Sequence, residues 1–213
     1  SPDESLTVET TLKVVTKGEP LADSITFDLN RQDQSSECRR STRLDYLGPR
    51  GRLTIVATAD THAVRGQPEK NYGAATTLPV DGGANEMGDA SHARAFLRFP
   101  LDIPGKALSV ELHLFVPEGG WTQSNDSGVI RLIPGEWKED TLTWTNQPEA
   151  AEQIAVLGKV GQDVWVVRPL NVDLNGRKAL DIVIDPTSCD GATYGSREGP
   201  NIPRSVIEYE IEK

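Results

Sequence analysis

Residues 110–116 read Val110-Glu111-Leu112-His113-Leu114-Phe115-Val116. An aliphatic side chain returns at every second position, which is the period of a strand with one face in a core. Val110, Leu112, Leu114 and Val116 share the inward face, leaving Glu111, His113 and Phe115 outside. The same grammar runs outward from this stretch. In Ala93–Phe99, Ala95, Leu97 and Phe99 share one face and Arg94, Phe96 and Arg98 the other. In Val129–Ile133, Arg131 opposes Ile130 and Leu132. Leu53–Ala59, Val164–Val167, Leu180–Ile184 and Val206–Ile211 continue the series. Turn clusters such as Asp81-Gly82-Gly83, Pro117-Glu118-Gly119-Gly120 and Asp190-Gly191 separate them. Only Pro148–Ile154 offers a short helical segment. Regularly spaced short strands with Gly and Pro turns predict an all-β chain, a β-sandwich of jelly-roll type.

Before this body the pattern changes. Leu6, Val8, Thr10, Leu12 and Val14 alternate, as do Ile25, Phe27 and Leu29, predicting an N-terminal two-stranded extension. Residues 30–52 are polar, with several arginines and Gly48-Pro49-Arg50-Gly51, and read as a solvated loop. The expected organisation is an extension over 1–52 and a module over 53–213. The opening Ser1-Pro2-Asp3-Glu4 reads as a mature or trimmed chain.

Composition excludes several function classes. The chain of 213 residues carries 22 Lys+Arg against 32 Asp+Glu, a net charge of -10. That field repels nucleic acid and anionic membranes alike. No apolar run approaches the roughly 18 residues of a membrane helix, so no membrane insertion is expected. Cys38 and Cys189 lack a CxxC partner. Either they are unrelated thiols or they form one long-range disulfide, which would imply an oxidising compartment; the disulfide is the expectation.

An ordered set of motifs runs through the body: Ala59-Asp60-Thr61, Asn71-Tyr72-Gly73, Leu78-Pro79-Val80-Asp81, Arg94-Ala95-Phe96-Leu97-Arg98-Phe99, Gly135-Glu136-Trp137-Lys138-Glu139, Thr141-Leu142-Thr143-Trp144-Thr145-Asn146-Gln147-Pro148 and Ser196-Arg197-Glu198. In order and spacing these resemble the DNRLRE-type domain, grouped with family 96 of the carbohydrate-binding modules and related to a disaggregatase-associated domain. The resemblance spans about residues 54–212. Its loosest part is Trp165–Asp173, where the family usually has an aromatic residue followed by Asp-Val-Thr. It implies a β jelly roll of secreted or surface proteins, often joined to other domains of larger polysaccharide-acting or adhesive chains.

Candidate chemistry follows from residue types. No Gly-x-Ser-x-Gly elbow, His-Glu-x-x-His helix or phosphate-cradling loop occurs, so a non-catalytic role is expected. Sugar binding needs flat rings for stacking and planar polar groups for hydroxyls or carboxylates. Trp137, Trp144 and Trp165 lie on or beside strands and read as packing residues. Trp121, in the polar loop Gly119–Asn125, is evenly balanced between packing and binding. If their strands share one sheet, Arg94, Arg98, His113 and Arg131 form with the aromatics a surface suited to an acidic, uronate-type polysaccharide. The bland alternative is that these are solvated strand residues or are covered by the N-terminal extension. A structural Ca²⁺, a hard ion wanting oxygen ligands, would fall on Asp60, Asn71 and Asp81, with Asn85, Asp89, Asp185 and Asp190 as further turn-borne donors. The functional expectation is an extracellular, periplasmic or cell-surface carbohydrate-binding module. Its rival is a structural or adhesive surface domain that binds a protein or acts as a spacer.

Overall fold

Strand formation follows the alternation, and the computed structural model describes the backbone of residues 24–29 and 40–45 and all of 50–211. The chain divides into two units, 1–48 and 49–213. In the first, β1 (Ser24–Leu29) pairs antiparallel with β2 (Arg40–Asp45), Leu29 opposite Arg40. The partner of the Ile25-Phe27-Leu29 strand therefore comes from the segment expected to be a loop. A ladder is made by main-chain groups, so a polar segment can pair without hydropathic alternation to announce it. The Leu6–Val14 strand lies outside the described residues.

The second unit is a β-sandwich, as expected. One sheet has the order β10-β7-β13-β3, from β10 (Val164–Pro169), β7 (Lys106–Val116), β13 (Arg204–Glu210) and β3 (Arg50–Val56). The other has the order β4-β6-β11-β8-β9, from β4 (Ala59–Val64), β6 (Ala93–Pro100), β11 (Ala179–Asp185), β8 (Val129–Leu132) and β9 (Gln153–Val156). All their pairings are antiparallel. A small pair, β5 (Thr77–Val80) with β12 (Ala192–Gly195), adds Leu78, Val80, Ala192 and Tyr194 to the core. The inner faces meet as predicted: Ala95, Leu97 and Phe99 of β6 pack in one cluster with Val110, Leu112, Leu114 and Val116 of β7. Each aliphatic side chain so buried contributes roughly 1.5–3 kcal/mol.

Three expectations need correction. Pro148–Ile154 is not helical: the Ala151 N–H reaches the Leu132 carbonyl at 2.7 Å and the Leu132 N–H reaches Glu152 at 3.1 Å, drawing the chain alongside β8 and into β9. Among the described residues no helix forms. Phe96, on the outward face of β6, is fully buried. Residues 134–150 cross that face as a strap, and Trp137 and Leu142 close a second cluster over Phe96, Ala63 and Val183. Finally, Cys189 is a free, exposed cysteine, so the structure gives the Cys38–Cys189 bridge no support; Cys38 lies outside the described residues. Its loop is fixed instead by a 3.0 Å bond from the Gly82 N–H to the Ser188 carbonyl.

Candidate functional site

Strand register decides which candidate side chains meet. Antiparallel pairing of β6 with β11 sets Arg98 opposite Asp181 and Ala95 opposite Ile184. On the outer face, the Arg98 Nε donates to Asp181 Oδ1 at 2.7 Å. The Trp137 indole N–H takes the same oxygen at 2.8 Å, with the Arg98 guanidinium 5.1 Å from the Trp137 ring centroid. Arg98 is thus paired one to one with a carboxylate and holds the strap. It lines a cleft of about 820 Å³ with Trp137, Lys138 and Lys178.

Arg94 and Arg131 are arranged differently. Arg94 Nε donates to Asp185 Oδ1, and its Nη1 donates to Gln147 Oε1 at 2.7 Å. Arg131 Nε lies 3.4 Å from the other Asp185 oxygen. Two guanidinium groups share one carboxylate at the wall of a pocket of about 350 Å³, lined also by His92, Trp144 and Thr187. Burial, and then Arg94, push the His92 imidazole below its usual pKa, so at neutral pH it adds no charge. Its ring meets the Trp144 edge at 5.1 Å between centroids.

His113 does not join this group. β7 pairs with β10 and β13, so His113 faces outward from the other sheet, where its Nε2 lies 3.2 Å from Glu111 Oε2. Phe115, Trp165 and Arg204 share its sheet; the Arg204 guanidinium stands 4.3 Å from the Trp165 ring centroid and Phe115 lies 5.5 Å from it. Alternation alone cannot tell on which sheet an outward face lies.

Trp121 stands apart, 91% exposed, on a cleft of about 790 Å³ bordered by Gln123, Asn125, Lys159, Asp190 and Thr193. The Asn125 N–H donates to Asp190 Oδ2 at 2.7 Å, and Ser124 and Val160 exchange main-chain bonds at 3.1 and 2.8 Å.

Of the expected calcium ligands, Asp60 alone enters a cluster of carboxylates. Asp81 Oδ1 accepts the Gly83 N–H at 2.9 Å as a turn former. Asn71 donates through Nδ2 to the carbonyls of Glu139 and Leu142 at 2.6 and 2.8 Å, pinning the strap. Gly73 is required there, since a Cβ would stand 2.7 Å from the Glu139 carbonyl oxygen. Asn85 and Asp89 close a turn through an Asn85 N–H bond at 3.0 Å, and Asp185 and Asp190 are engaged as described. Asp60, Glu139 and Glu198 place oxygens within 4.8 Å of one another and could hold a metal ion. The Arg197 guanidinium sits on Glu139 through bonds of 2.7 and 2.6 Å and lies 3.0 Å from Glu198. Asp60 Oδ2 accepts the Arg197 main-chain N–H at 2.7 Å, whereas Asp60 Oδ1 is buried without a partner. Burial chiefly, then Glu198 and Glu139, raise the Asp60 carboxyl to about 7 against the pull of the Arg197 N–H. Glu139, Arg197 and Glu198 were visible in sequence only as parts of motifs; nothing in their spacing marks them as neighbours of Asp60.

The clefts, the strap over β6 and the motif residues gathered at Asp60 all lie within one matched segment. The profile of carbohydrate-binding module family 96 matches residues 52–209. No curated protein matches the chain. With three quarters of its length so matched, this chain belongs to carbohydrate-binding module family 96.

Proposed function

We propose that the module is non-catalytic and holds an acidic, uronate-type polysaccharide, with the sugar carboxylate on Arg94 and Arg131 and a sugar ring against Trp144. The observation that carries this is the unequal pairing at Asp185: two guanidinium groups against one carboxylate. A ligand carboxylate would supply the second anion, through the charge-assisted, planar hydrogen bonds that guanidinium favours. Arg98, already matched by Asp181, and His113, on the other sheet, have no part in it. The non-catalytic reading is supported by the chain's membership of a carbohydrate-binding module family.

Polygalacturonate and its fully methyl-esterified form test this reading, because they share a backbone and differ in charge. The acid form is expected to bind and the ester to bind at least about tenfold more weakly, with Arg131→Gln reducing acid binding similarly and Arg98→Gln leaving it unchanged. Equal binding of acid and ester would overturn the reading. A uronate-type ligand supports the expected location outside the cytoplasm, at the cell surface, in the periplasm or in the medium. We assign the expected Ca²⁺ to Asp60, Glu139 and Glu198, because all-oxygen donors suit a hard cation and one Asp60 oxygen lacks a partner. Its test is thermal unfolding in EDTA and in millimolar Ca²⁺. A calcium-dependent rise supports the site, and superimposable curves refute it.

A further inference from the structure

We propose that the Trp121 cleft is a second glycan-binding site, one that takes uncharged sugars. Three observations converge on it. First, the indole is 91% exposed, although its loop is not loose. The Thr122 hydroxyl donates to the Gly119 carbonyl at 3.1 Å, and the Thr193 N–H donates to Thr122 at 3.1 Å. Ser124 is bridged to Val160, and Asn125 to Asp190. A large flat apolar ring is therefore held in water on a pinned base, which is what stacking against the CH face of a pyranose needs.

Second, the rest of the rim is chemically suited to hydroxyl groups. Gln123 and Asn125 supply amides, Asp190 a carboxylate with one oxygen taken up by Asn125, and Thr193 a hydroxyl. The cleft of about 790 Å³ falls within the usual range for small-molecule sites, roughly 300–1,000 Å³.

Third, its charge is opposite to that of the arginine pocket. The lining holds Asp81 and Asp190 against Lys159, one anion in excess. A uronate would be repelled here, whereas Arg94 and Arg131 around Asp185 leave one cation in excess. No residue lines both sites. The two clefts thus divide the work: one for an acidic sugar, one for a neutral sugar. A mixed polysaccharide or a composite wall could engage both, and the two contacts would reinforce each other through effective concentration.

The inference goes beyond the uronate reading and can fail separately from it. The probes are neutral glucan, xylan and galactomannan, run in affinity gels beside polygalacturonate. At least one neutral polymer is expected to retard the protein. Trp121→Ala should weaken that retardation by about tenfold or more, and Trp121→Phe should restore part of it. Polygalacturonate binding should be unchanged by either. Arg131→Gln should do the reverse. Because Trp121 is exposed, Trp121→Ala is expected to show the unfolding curve of the parent chain. Cys189 borders the same cleft as a free, exposed thiol. Its alkylation by iodoacetamide should be slowed by the neutral polymer and not by polygalacturonate. No retardation by any of the neutral polymers, an unaltered Trp121→Ala variant, or protection of Cys189 by the polyuronate would each overturn the second site. Loss of polygalacturonate binding in Arg131→Gln, by contrast, bears only on the first.

Discussion

Asp60→Asn is expected to reshape the pH dependence of stability while leaving the fold intact. Asp60 is 1% exposed and His62, two residues along β4, is 6% exposed. Burial raises the Asp60 carboxyl from 3.8 to about 7. Burial chiefly, with Lys70, lowers the His62 imidazole from 6.5 to about 4. The two act in opposite directions. Between pH 4 and 7 the native state keeps a proton on Asp60 that the unfolded chain has released, so this group makes stability fall as pH rises. Between pH 6.5 and 4 the unfolded chain takes a proton on its histidine that native His62 refuses, so this group makes stability fall as pH drops. At about 1.4 kcal/mol per unit, the Asp60 effect is at most about 4 kcal/mol and the His62 effect about 3 kcal/mol. They nearly cancel in the parent chain. Asparagine is a permanently neutral mimic: its oxygen can accept the Arg197 N–H and its amide can face Glu139 and Glu198. The assay is urea unfolding in EDTA between pH 4 and 8, taking each variant minus parent so that ordinary surface carboxylates drop out. Relative to the parent, Asp60→Asn should gain stability with rising pH up to 7. His62→Phe, which retains a ring to stack on Tyr72, should gain relative stability towards acid instead. Parallel profiles for all three chains would refute the reasoning.

Three further outcomes follow from packing and pairing. Phe96→Ala removes a fully buried ring beneath the strap and should cost about 3–5 kcal/mol in denaturant unfolding. Gly128 has a φ of +99°, and its Cβ position lies 3.2 Å from the Pro186 Cα, so Gly128→Ala should destabilise by more than about 1 kcal/mol by the same measurement. Polygalacturonate binding should weaken as salt is raised from about 0.05 to 0.5 M, read by titration calorimetry, whereas neutral-glycan binding at Trp121 should not move.

What was legible in the sequence is what local periodicity encodes. β7 announced itself because every aliphatic residue from Val110 to Val116 enters one core, and the burial of that strand alternates accordingly. β5, β9 and β12, of four residues each, have no charged residue set between aliphatic ones as Arg131 is in the equally short β8, and β2 is too polar. Phe96 was placed on the correct face but in the wrong surroundings. Its cover, Trp137 and Leu142, arrives some forty residues later from a segment without regular structure. The partners of the arginines were equally hidden. Asp181 and Asp185 lie 83 and 91 positions from Arg98 and Arg94, and only the β6–β11 register reveals that one pair is matched and the other is shared.

The motifs that carry the family resemblance also have a physical meaning that their spacing conceals. Asp60, the pair Asn71 and Gly73, Glu139 and Arg197 come from four separate motifs, yet they meet at one place. There Asn71 holds the strap by its carbonyls, Glu139 reaches back to the Asp60 N–H at 2.7 Å, and Arg197 locks Glu139. Arg98 and Asp181 grip the same strap at Trp137. These residues make a latch over the outer face of the five-stranded sheet, and none of the latch set at Asp60 lines the Arg94–Arg131 pocket or the Trp121 cleft. The resemblance therefore reports how the module is held together, and a module can share that latch while differing in what it binds. Which sugar is taken must be read from side chains whose chemistry the fold leaves incomplete. Here those are a second guanidinium without a carboxylate of its own and an indole left in water.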